Sequence, residues 1–450
     1  MLLITPENRF IKAFRRGQLN NFAQLTMPYL AGFVTPPHSV ELIDEYNQRV
    51  DLDAACDLVG ITCNTPNARH VYDLARAFRT RGRVVVLGGP HVTLLPKEAE
   101  EHADAVVVGE AEETWPQVLE DASRGSLRRR YCADRPPSLE AVPRPRRDLM
   151  ARRWLLGETV IASRGCPHQC TYCNLRQIYF AAVRFRPVAQ VVAEVRAFRS
   201  PFFAFWDDHL FMDPAYAFQL FDALAGVGKQ WAAMVTPASV RNERLLAAAA
   251  KAGCSCLFLG LESFSAESLL EANKSFNRVE FYEESVSRIH HHGILVQAGI
   301  VFGFDADDAT IFEKTFAEAQ RIGIDGATVS ILTPFPGSQL HRRLESQNRL
   351  LTRDWSYYNG KTAVAFEPAR MSPEALWEGY MWFRRRFFSR RAILERVRRA
   401  RVRPFHSLAL NWGYRRTLGN HVSSSPIPRR HGTASVRGLG CAPDWGTPCI

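Results

Sequence analysis

Residues 161–175 read IASRGCPHQCTYCNL. They place Cys166, Cys170 and Cys173 in a C-x3-C-x2-C arrangement directly after the apolar run TVIASRG, which ends in glycine. A short strand therefore feeds a cysteine-bearing loop. Three thiolates this close in sequence can hold three corners of a small iron–sulfur cluster, because cysteine sulfur ligates such clusters and one loop can wrap them. No fourth cysteine lies nearby. A structural zinc site would ask for a further ligand, and His168, between the cysteines, suits no usual zinc spacing. The bland alternative is three buried or unligated thiols.

The segment CPHQCTYC, with Tyr172 as the aromatic, resembles the C-x3-C-x-(aromatic)-C loop of the radical S-adenosylmethionine (radical SAM) enzymes. The resemblance implies a [4Fe-4S] cluster on Cys166, Cys170 and Cys173, with one iron free of protein ligands. S-adenosylmethionine would bind that iron through its amino and carboxylate groups and be cleaved to a 5′-deoxyadenosyl radical. The cofactors would then carry the hard chemistry and the protein would position them.

At 450 residues, 46% hydrophobic and 23% charged, the chain has an ordinary globular composition, long enough for two or three domains. No apolar run approaches the roughly 20 residues needed to cross a bilayer, and MLLITPENRF lacks the features of a secretion signal. A cytoplasmic protein is expected. The 10 cysteines are scattered apart from the central triplet, which argues against a disulfide framework, and a reducing compartment would protect the cluster. The net charge of +11 could serve nucleic acid, anionic lipid or an acidic substrate.

In residues 1–135, MLLITPE, HSVELIDEY, DLVGITCNT, RGRVVVLGGPH and ADAVVVGE read as strands. NARHVYDLARAFRTRG, PKEAEEHA and EETWPQVLEDAS read as helices. Near-continuous apolar strands alternating with helices predict an α/β, doubly wound, Rossmann-like parallel sheet, which binds ligands beyond the carboxyl ends of its strands. Those ends carry Thr62, Cys63 and Asn64, then Gly88, Gly89 and His91, then Gly109 and Glu110. The absence of G-x-G-x-x-G after the first strand gives no support to a nicotinamide or flavin site. TMPYLAG, IDEY, LGGPHVTLLP and VVVGEAEETW, followed by the cysteine loop, are similar to the cobalamin-binding domain of the B12-dependent radical SAM family. That likeness spans roughly residues 1–375 and assigns the strand-end residues to cobalamin. The D-x-H-x-x-G motif that supplies an axial histidine in many cobalamin modules is missing, so no cobalt-bound histidine is expected from it. For His91 the other reading is a histidine that satisfies its own loop, and for Cys63 a small buried hydrophobe.

The proline- and arginine-rich stretch DRPPSLEAVPRPRRDLMARR marks a linker, placed at 136–158. From 159 to 375, six strand-like stretches (TVIASRG, FFAFWDD, WAAMVTP, SCLFLGLES, LVQAGIVFGF, GATVSILTP) alternate with helical runs. They match the partial (β/α)6 barrel that the resemblance implies, with the site at the carboxyl ends of the strands. On the same resemblance, S-adenosylmethionine would be met by Tyr172, by Asp207 or Asp208 of WDDHLF, by Glu262 and Ser263 of LGLES, and by Gly299, Gly303 and Asp305 of AGIVFGFD. Adjacent carboxylates point to different sides, so at most one of Asp207 and Asp208 can do this. In TPFPGS, Pro336 and Gly337 shape a loop. His290, His291 and His292, consecutive at a helix end, cannot converge on one ion and read as an exposed cap. Cys254 and Cys256, alternating on a strand, read as core rather than a redox pair.

Residues 376–418 join aromatics to a dense arginine series. The favoured reading packs Trp377, Tyr380, Phe383 and Phe387 on the catalytic domain while the arginines stay in water; the sharper one is an amphipathic basic helix on an anionic membrane surface. Residues 419–450, with Cys441 and Cys449, read as a disordered tail. The expected function is a cobalamin-dependent C-methyltransferase acting on an unactivated carbon of a natural product, pigment or lipid. The alternatives are a radical cyclisation, ring contraction or rearrangement without methyl transfer, and a non-catalytic cobalamin or iron–sulfur binding protein. Small-molecule or lipid-like substrates and a reductant such as flavodoxin or ferredoxin are the expected partners. Nucleic acid is not favoured, because Cys56, Cys63 and Cys132 lack the pattern of a second cluster.

Overall fold

The computed structural model describes residues 1–16, 21–22, 24–133, 135–151, 156–400, 402–420 and 425–428. Most of the segment read as a tail, including Cys441 and Cys449, lies outside the described residues, as do linker residues 152–155.

Strands before the linker are β1 (Leu2–Thr5), β2 (Asn21–Phe22), β3 (Glu41–Asp44), β4 (Leu58–Thr62), β5 (Val84–Gly88), β6 (Ala105–Val108) and β7 (Arg130–Cys132). All but β2 form a parallel sheet in the order β3-β1-β4-β5-β6-β7. Order reverses between β1 and β4, the hallmark of a doubly wound sheet. LVGIT and AVVV are buried along their whole length, as strands covered on both faces must be. The helix Ala68–Arg79 buries Val71, Leu74, Ala75 and Phe78 at the three- and four-residue spacing its sequence predicts. Edge strand β7 was not foreseen: RYC has no apolar run, and Tyr131 is drawn in partly by its hydroxyl, which donates to Asp121 at 2.8 Å.

After the linker come β8 (Leu156–Val160), β9 (Ser163–Arg164), β10 (Arg184–Phe185), β11 (Phe202–Phe205), β12 (Gln230–Val235), β13 (Cys254–Glu262), β14 (Leu295–Phe302) and β15 (Gly326–Ile331). The second sheet runs β15-β14-β13-β12-β11-β8-β2, with β8 to β15 the parallel half-barrel expected. Its edge is extended by β2, lent by the N-terminal region: Asn21 faces Leu156 and Phe22 faces Gly157. Strands β9 and β10 pair antiparallel, Arg184 with Arg164 and Phe185 with Ser163, so a two-rung clasp closes the cysteine loop on both sides. Neither short pairing has a hydrophobic period long enough to read from sequence.

The convex face of the half-barrel packs Phe203, Phe205, Trp231, Leu257, Leu259 and Val296 under its helices. The helix Pro373–Phe387, capped by Ser372, buries Tyr380, Phe383 and Phe387 in that core, with Trp377 packed beside them. This favours packing over a membrane face. No helix among the described residues is long and apolar enough to cross a membrane. The expectation that the arginines stay in water needs correction at two positions. Arg384 and Arg396 are buried, at 4% and 6% exposure. Arg396 lies over the Phe387 ring at 3.8 Å and donates to Phe387 O, Asn411 Oδ1 and Gln320 Oε1. Its planar fork finds neutral acceptors, and burial pushes its pKa down to about 10.

Candidate active site

The cysteine loop begins at Gly165, whose φ is +92°, in the left-handed region; a Cβ there would collide with the Ala182 carbonyl oxygen across the clasp. The loop is tied to the barrel on two sides. Thr171 N donates to Ala272 O at 3.0 Å and Leu340 N donates to Thr171 O at 2.8 Å, while Asn273 Nδ2 holds Gln169 O at 2.9 Å. Cys166, Cys170 and Cys173 are all reduced and half-buried. Burial pushes the Cys170 thiol up to about 11 and the Cys173 thiol up to about 12. No three His, Cys, Asp or Glu side chains among the described residues converge on a single metal ion. A cubane takes each thiolate at a different iron, so a spread triplet on one preformed loop is the donor set it needs.

The paired carboxylates after β11 part company. Asp207 is fully buried and accepts from Ala162 N, Ser163 N and the Ser163 hydroxyl, so it pins the strand leading into the loop. Burial raises its pKa to about 7 against those donors. Asp208 accepts from Gly165 N at 3.2 Å, beside the cysteines, and burial raises it to about 6. Of the two, Asp208 is the one placed next to the loop.

At the end of β13, Glu262 has a φ of +66°, a strained conformation for a non-glycine residue, just past a register shift in the ladder. Its Oε1 takes the Nζ of Lys274 at 2.6 Å. Lys274 is buried, and Cys170, Cys173 and above all Glu262 favour its charged form against desolvation. Sequence reasoning missed Lys274, which sits in an unpatterned loop, EANKSFN, and declares itself only by its partner. Ser263 is buried and accepts from Ser265 N at 3.1 Å. Gly299 leaves room for the Phe258 ring, 2.8 Å from where a Cβ would stand, and Gly303, at φ +109°, for Leu376.

The acid that holds this glycine turn is Asp307, not Asp305. Asp307 accepts from Gly303 N, Phe304 N and the Ser268 hydroxyl, whereas Asp305 is ion-paired with Arg349 and Arg343. His209, also missed, is 5% exposed with neither ring nitrogen bonded among the described residues. It lies 6.0 Å from His168, which stacks on Phe276 at 3.9 Å. The histidine triplet diverges as expected, His290 to Asp325 and His292 to Glu243. Cys254 is buried in the core, with Cys256 beside it on β13.

The carboxyl-end rims of the two sheets meet. Leu94 packs on Gly337 and Phe180 on Gly109; Trp355 Nε1 donates to Glu98 at 3.0 Å, and Arg69 pairs with Asp354 at 2.7 Å. On the N-terminal rim, Asn64 is exposed and Gly88, Gly89 and Gly109 are half-buried. Thr62 and Cys63 are buried beneath Gly89. His91 is fully buried, with Nδ1 at 3.1 Å from Thr65 Oγ1 in the turn after β4 and Nε2 at 3.2 Å from Glu98 in the helix Pro96–Glu100, so both nitrogens are engaged within the N-terminal unit. Glu110 does not stand open on the rim. It bonds Arg164 at 2.6 Å and Arg184 at 2.5 Å, the two residues that flank the clasp, and Arg164 also meets Glu112. Glu110→Gln removes a buried partner from two cations and is expected to lower stability by about 2–3 kcal/mol, read from the urea midpoint. A loss under about 0.5 kcal/mol would show that these pairs do not tie the rims together.

Residues 160–315 match the Radical SAM superfamily, 33–119 the B12 binding domain, and 338–422 a domain of unknown function, DUF4070. The chain joins a B12-binding domain to a radical SAM domain, in the order of the B12-binding-domain-containing radical SAM enzymes. This radical SAM chain is 29% identical over 352 residues to the bacteriochlorophyllide d C-12(1)-methyltransferase of Chlorobaculum tepidum, covering 76% of each chain. It is 24% identical to the hopanoid C-2 methylase of Rhodopseudomonas palustris, over 82% of this chain and 71% of that one. Its fold is that of the radical SAM methyltransferase TsrM from Kitasatospora setae, with a TM-score of 0.66 at 16% identity, covering 85% and 88% of the two chains. It also matches the cobalamin-dependent S-adenosylmethionine radical enzyme OxsB, with a TM-score of 0.67 at 14% identity, covering 93% and 71%.

The residues present fit the groups this family uses. In this radical SAM chain three unbridged thiols stand on a loop that Ala272, Leu340 and Asn273 hold through hydrogen bonds to its backbone. Beside it, the Glu262–Lys274 pair and the unbonded nitrogens of His209 are polar groups awaiting a polar ligand. On the N-terminal rim Gly89 packs on Thr62 and Cys63, and Gly109 lies under the Phe180 ring, close approaches that a larger residue would block.

Proposed function

We propose that the protein is a cobalamin-dependent C-methyltransferase acting on an unactivated carbon of a pigment or another largely apolar small molecule. The observation that carries this reading is the meeting of the two carboxyl-end rims, with the cysteine loop clasped between Arg164 and Arg184 on the shared carboxylate Glu110. A corrinoid on one rim and a cluster on the other would be held across a common space. When bound, the cluster with S-adenosylmethionine supplies a hydrogen-abstracting radical and methylcobalamin supplies the methyl group. The chain's part is positional: Cys166, Cys170 and Cys173 hold the cluster, Asp207 and Gly165 shape its loop, and Asp208, Glu262 and Lys274 set the charge beside it. Tyr172, Ser263, Gly299, Gly303 and Asp305 complete the proposed S-adenosylmethionine surroundings, and Thr62, Cys63, Asn64, Gly88, Gly89, His91 and Gly109 the proposed corrinoid rim. A pigment is favoured as substrate by the likeness to bacteriochlorophyllide methyltransferases over three quarters of the chain. A low-potential reductant of the flavodoxin or ferredoxin kind and a reducing, cytoplasmic setting suit an oxygen-labile cluster.

The test is anaerobic reconstitution with iron, sulfide and hydroxocobalamin, then turnover with methyl-labelled S-adenosylmethionine. Label in the product together with 5′-deoxyadenosine is the expected result. A second reading, cyclisation without methyl transfer, is favoured by 25% identity over 75% of the chain to the anaerobic magnesium-protoporphyrin IX monomethyl ester cyclase of Rubrivivax gelatinosus. 5′-Deoxyadenosine with no label in product would select it.

A further inference from the structure

The helix Pro404–Arg415 is turned inside out. Apart from Leu410, which packs on Gly326, its inner face is polar or small: Ser407, Asn411 and Gly413 are buried. Asn411 Nδ2 donates to Asp325 O at 2.6 Å and its Oδ1 accepts from Arg396 at 2.7 Å, while the Tyr414 hydroxyl bonds Gln297 and Thr328. The outer face carries Phe405, Ala409 and Trp412, all exposed and spaced by four and three, so they form one stripe. Phe405 is 83% exposed and Trp412 45%. A helix that packs for burial alone turns its aromatics inward and its amides outward. Here hydrogen bonds to the barrel fix the opposite orientation.

The same stretch holds the charge of the molecule. Residues 381–420 contain 12 arginines and one carboxylate, Glu395, a net +11 that equals the net charge of the whole chain; the rest of the sequence has 45 basic and 45 acidic residues. Seven of these arginines are exposed. On the preceding helix, Arg390–Arg399, the exposed residues Arg391, Leu394 and Arg398 fall at three and four, again one stripe. Arg396 ties the two helices together, reaching Phe387 O and Asn411 from within. Four of the seven exposed large hydrophobic side chains among the described residues, Trp382, Leu394, Phe405 and Trp412, lie in this stretch. Apolar side chains left in water among unpaired cations mark a surface that meets something both apolar and negative.

We propose that the outer faces of the helices Arg390–Arg399 and Pro404–Arg415 dock the protein on an anionic lipid bilayer, with Leu394, Phe405 and Trp412 entering the headgroup region and the arginines meeting lipid phosphates around them. Nucleic acid would answer the arginines but leave the aliphatic part of the stripe in water. The helix Pro373–Phe387, packed in the core, contributes only the approach to this surface. The surface lies at the amino ends of the barrel strands: Arg403 donates to Gly293 O, just before β14, and to Gln230 Oε1 at the start of β12, and Asp325 precedes β15. Docking therefore leaves the carboxyl-end rims and the cysteine loop turned away from the bilayer. This inference goes beyond the methyltransferase reading and does not depend on it.

The test is co-sedimentation of the full chain with vesicles of phosphatidylcholine alone and with about one-third phosphatidylglycerol. The anionic vesicles are expected to bind at least about tenfold more tightly, and the difference should shrink at about 0.5 M salt. Phe405→Ser with Trp412→Ser should weaken binding to anionic vesicles about tenfold or more while leaving the thermal midpoint unchanged, because both rings already stand in water. Arg391→Gln with Arg398→Gln should weaken it by a similar factor and leave the weak binding to neutral vesicles as it was. No binding to anionic vesicles overturns the proposal, as does binding that the aromatic double variant leaves intact. Three other occupants would overturn it too. Tighter binding of single-stranded RNA than of vesicles, lost in the same variants, would assign the surface to nucleic acid. A dimer in light scattering that Phe405→Ser with Trp412→Ser dissolves would assign it to a second copy. Vesicle binding only by a chain ended at Pro428 would assign it to residues 429–450.

Discussion

Replacing Cys166, Cys170 and Cys173 together by alanine is expected to take reconstituted iron from about four atoms per chain to near none, and 5′-deoxyadenosine production with it. The effect should be confined to cofactor loading. The thiols are half-buried and unbridged, and the loop around them is held by other groups: Asp207 on Ala162 and Ser163, the β9–β10 clasp, and Thr171 between Ala272 and Leu340. The triple variant should therefore keep the wild-type urea midpoint to within about 1 kcal/mol. Iron at the wild-type level would remove the assignment of these cysteines. A collapsed midpoint would show instead that the thiols are core residues.

Gly165→Ala is expected to be nearly as damaging to cluster loading without touching a ligand. Left-handed backbone costs a non-glycine residue about 1–2 kcal/mol, and here the added methyl also meets the Ala182 carbonyl, which the clasp fixes in place. The loop can accept alanine only by opening the clasp, which moves Cys166 relative to Cys170 and Cys173. Iron content should fall at least about tenfold under limiting sulfide, as expected for a misplacement worth about 1.4 kcal/mol or more. Gly226→Ala is the matched control. It has a φ of +84° but open space where the methyl would go, so it should cost about 1 kcal/mol in stability and nothing in iron. Equal iron in both variants would show that neither the strain at Gly165 nor the contact across the clasp governs cluster loading.

The reach of the sequence differs between kinds of feature. LVGIT, VVVLG and AVVV are apolar along their whole length, and the helix Ala68–Arg79 repeats its apolar residues at three and four. Such local patterns specify burial wherever the segment ends up, so a doubly wound sheet and a half-barrel were legible. The cysteine loop was legible for the same reason, because its ligands lie within one turn of chain. Pairings between distant segments leave no such mark. Glu110 reads as an open strand-end acid until Arg164 and Arg184, 54 and 74 residues away, close on it. Asp305 and Asp307 are indistinguishable in sequence, and only the turn at Gly303 shows which of them receives its amides.

What the sequence by itself determined about this protein is therefore the order of its two α/β units and the place of its three thiols, through short-range periodicity and spacing. Only the tertiary structure decided that the two rims face each other, that Lys274 neutralises Glu262, and that Glu110 serves both Arg164 and Arg184. Those outcomes depend on which charges are brought out of water together, and that is set by packing across the whole chain rather than by neighbours along it.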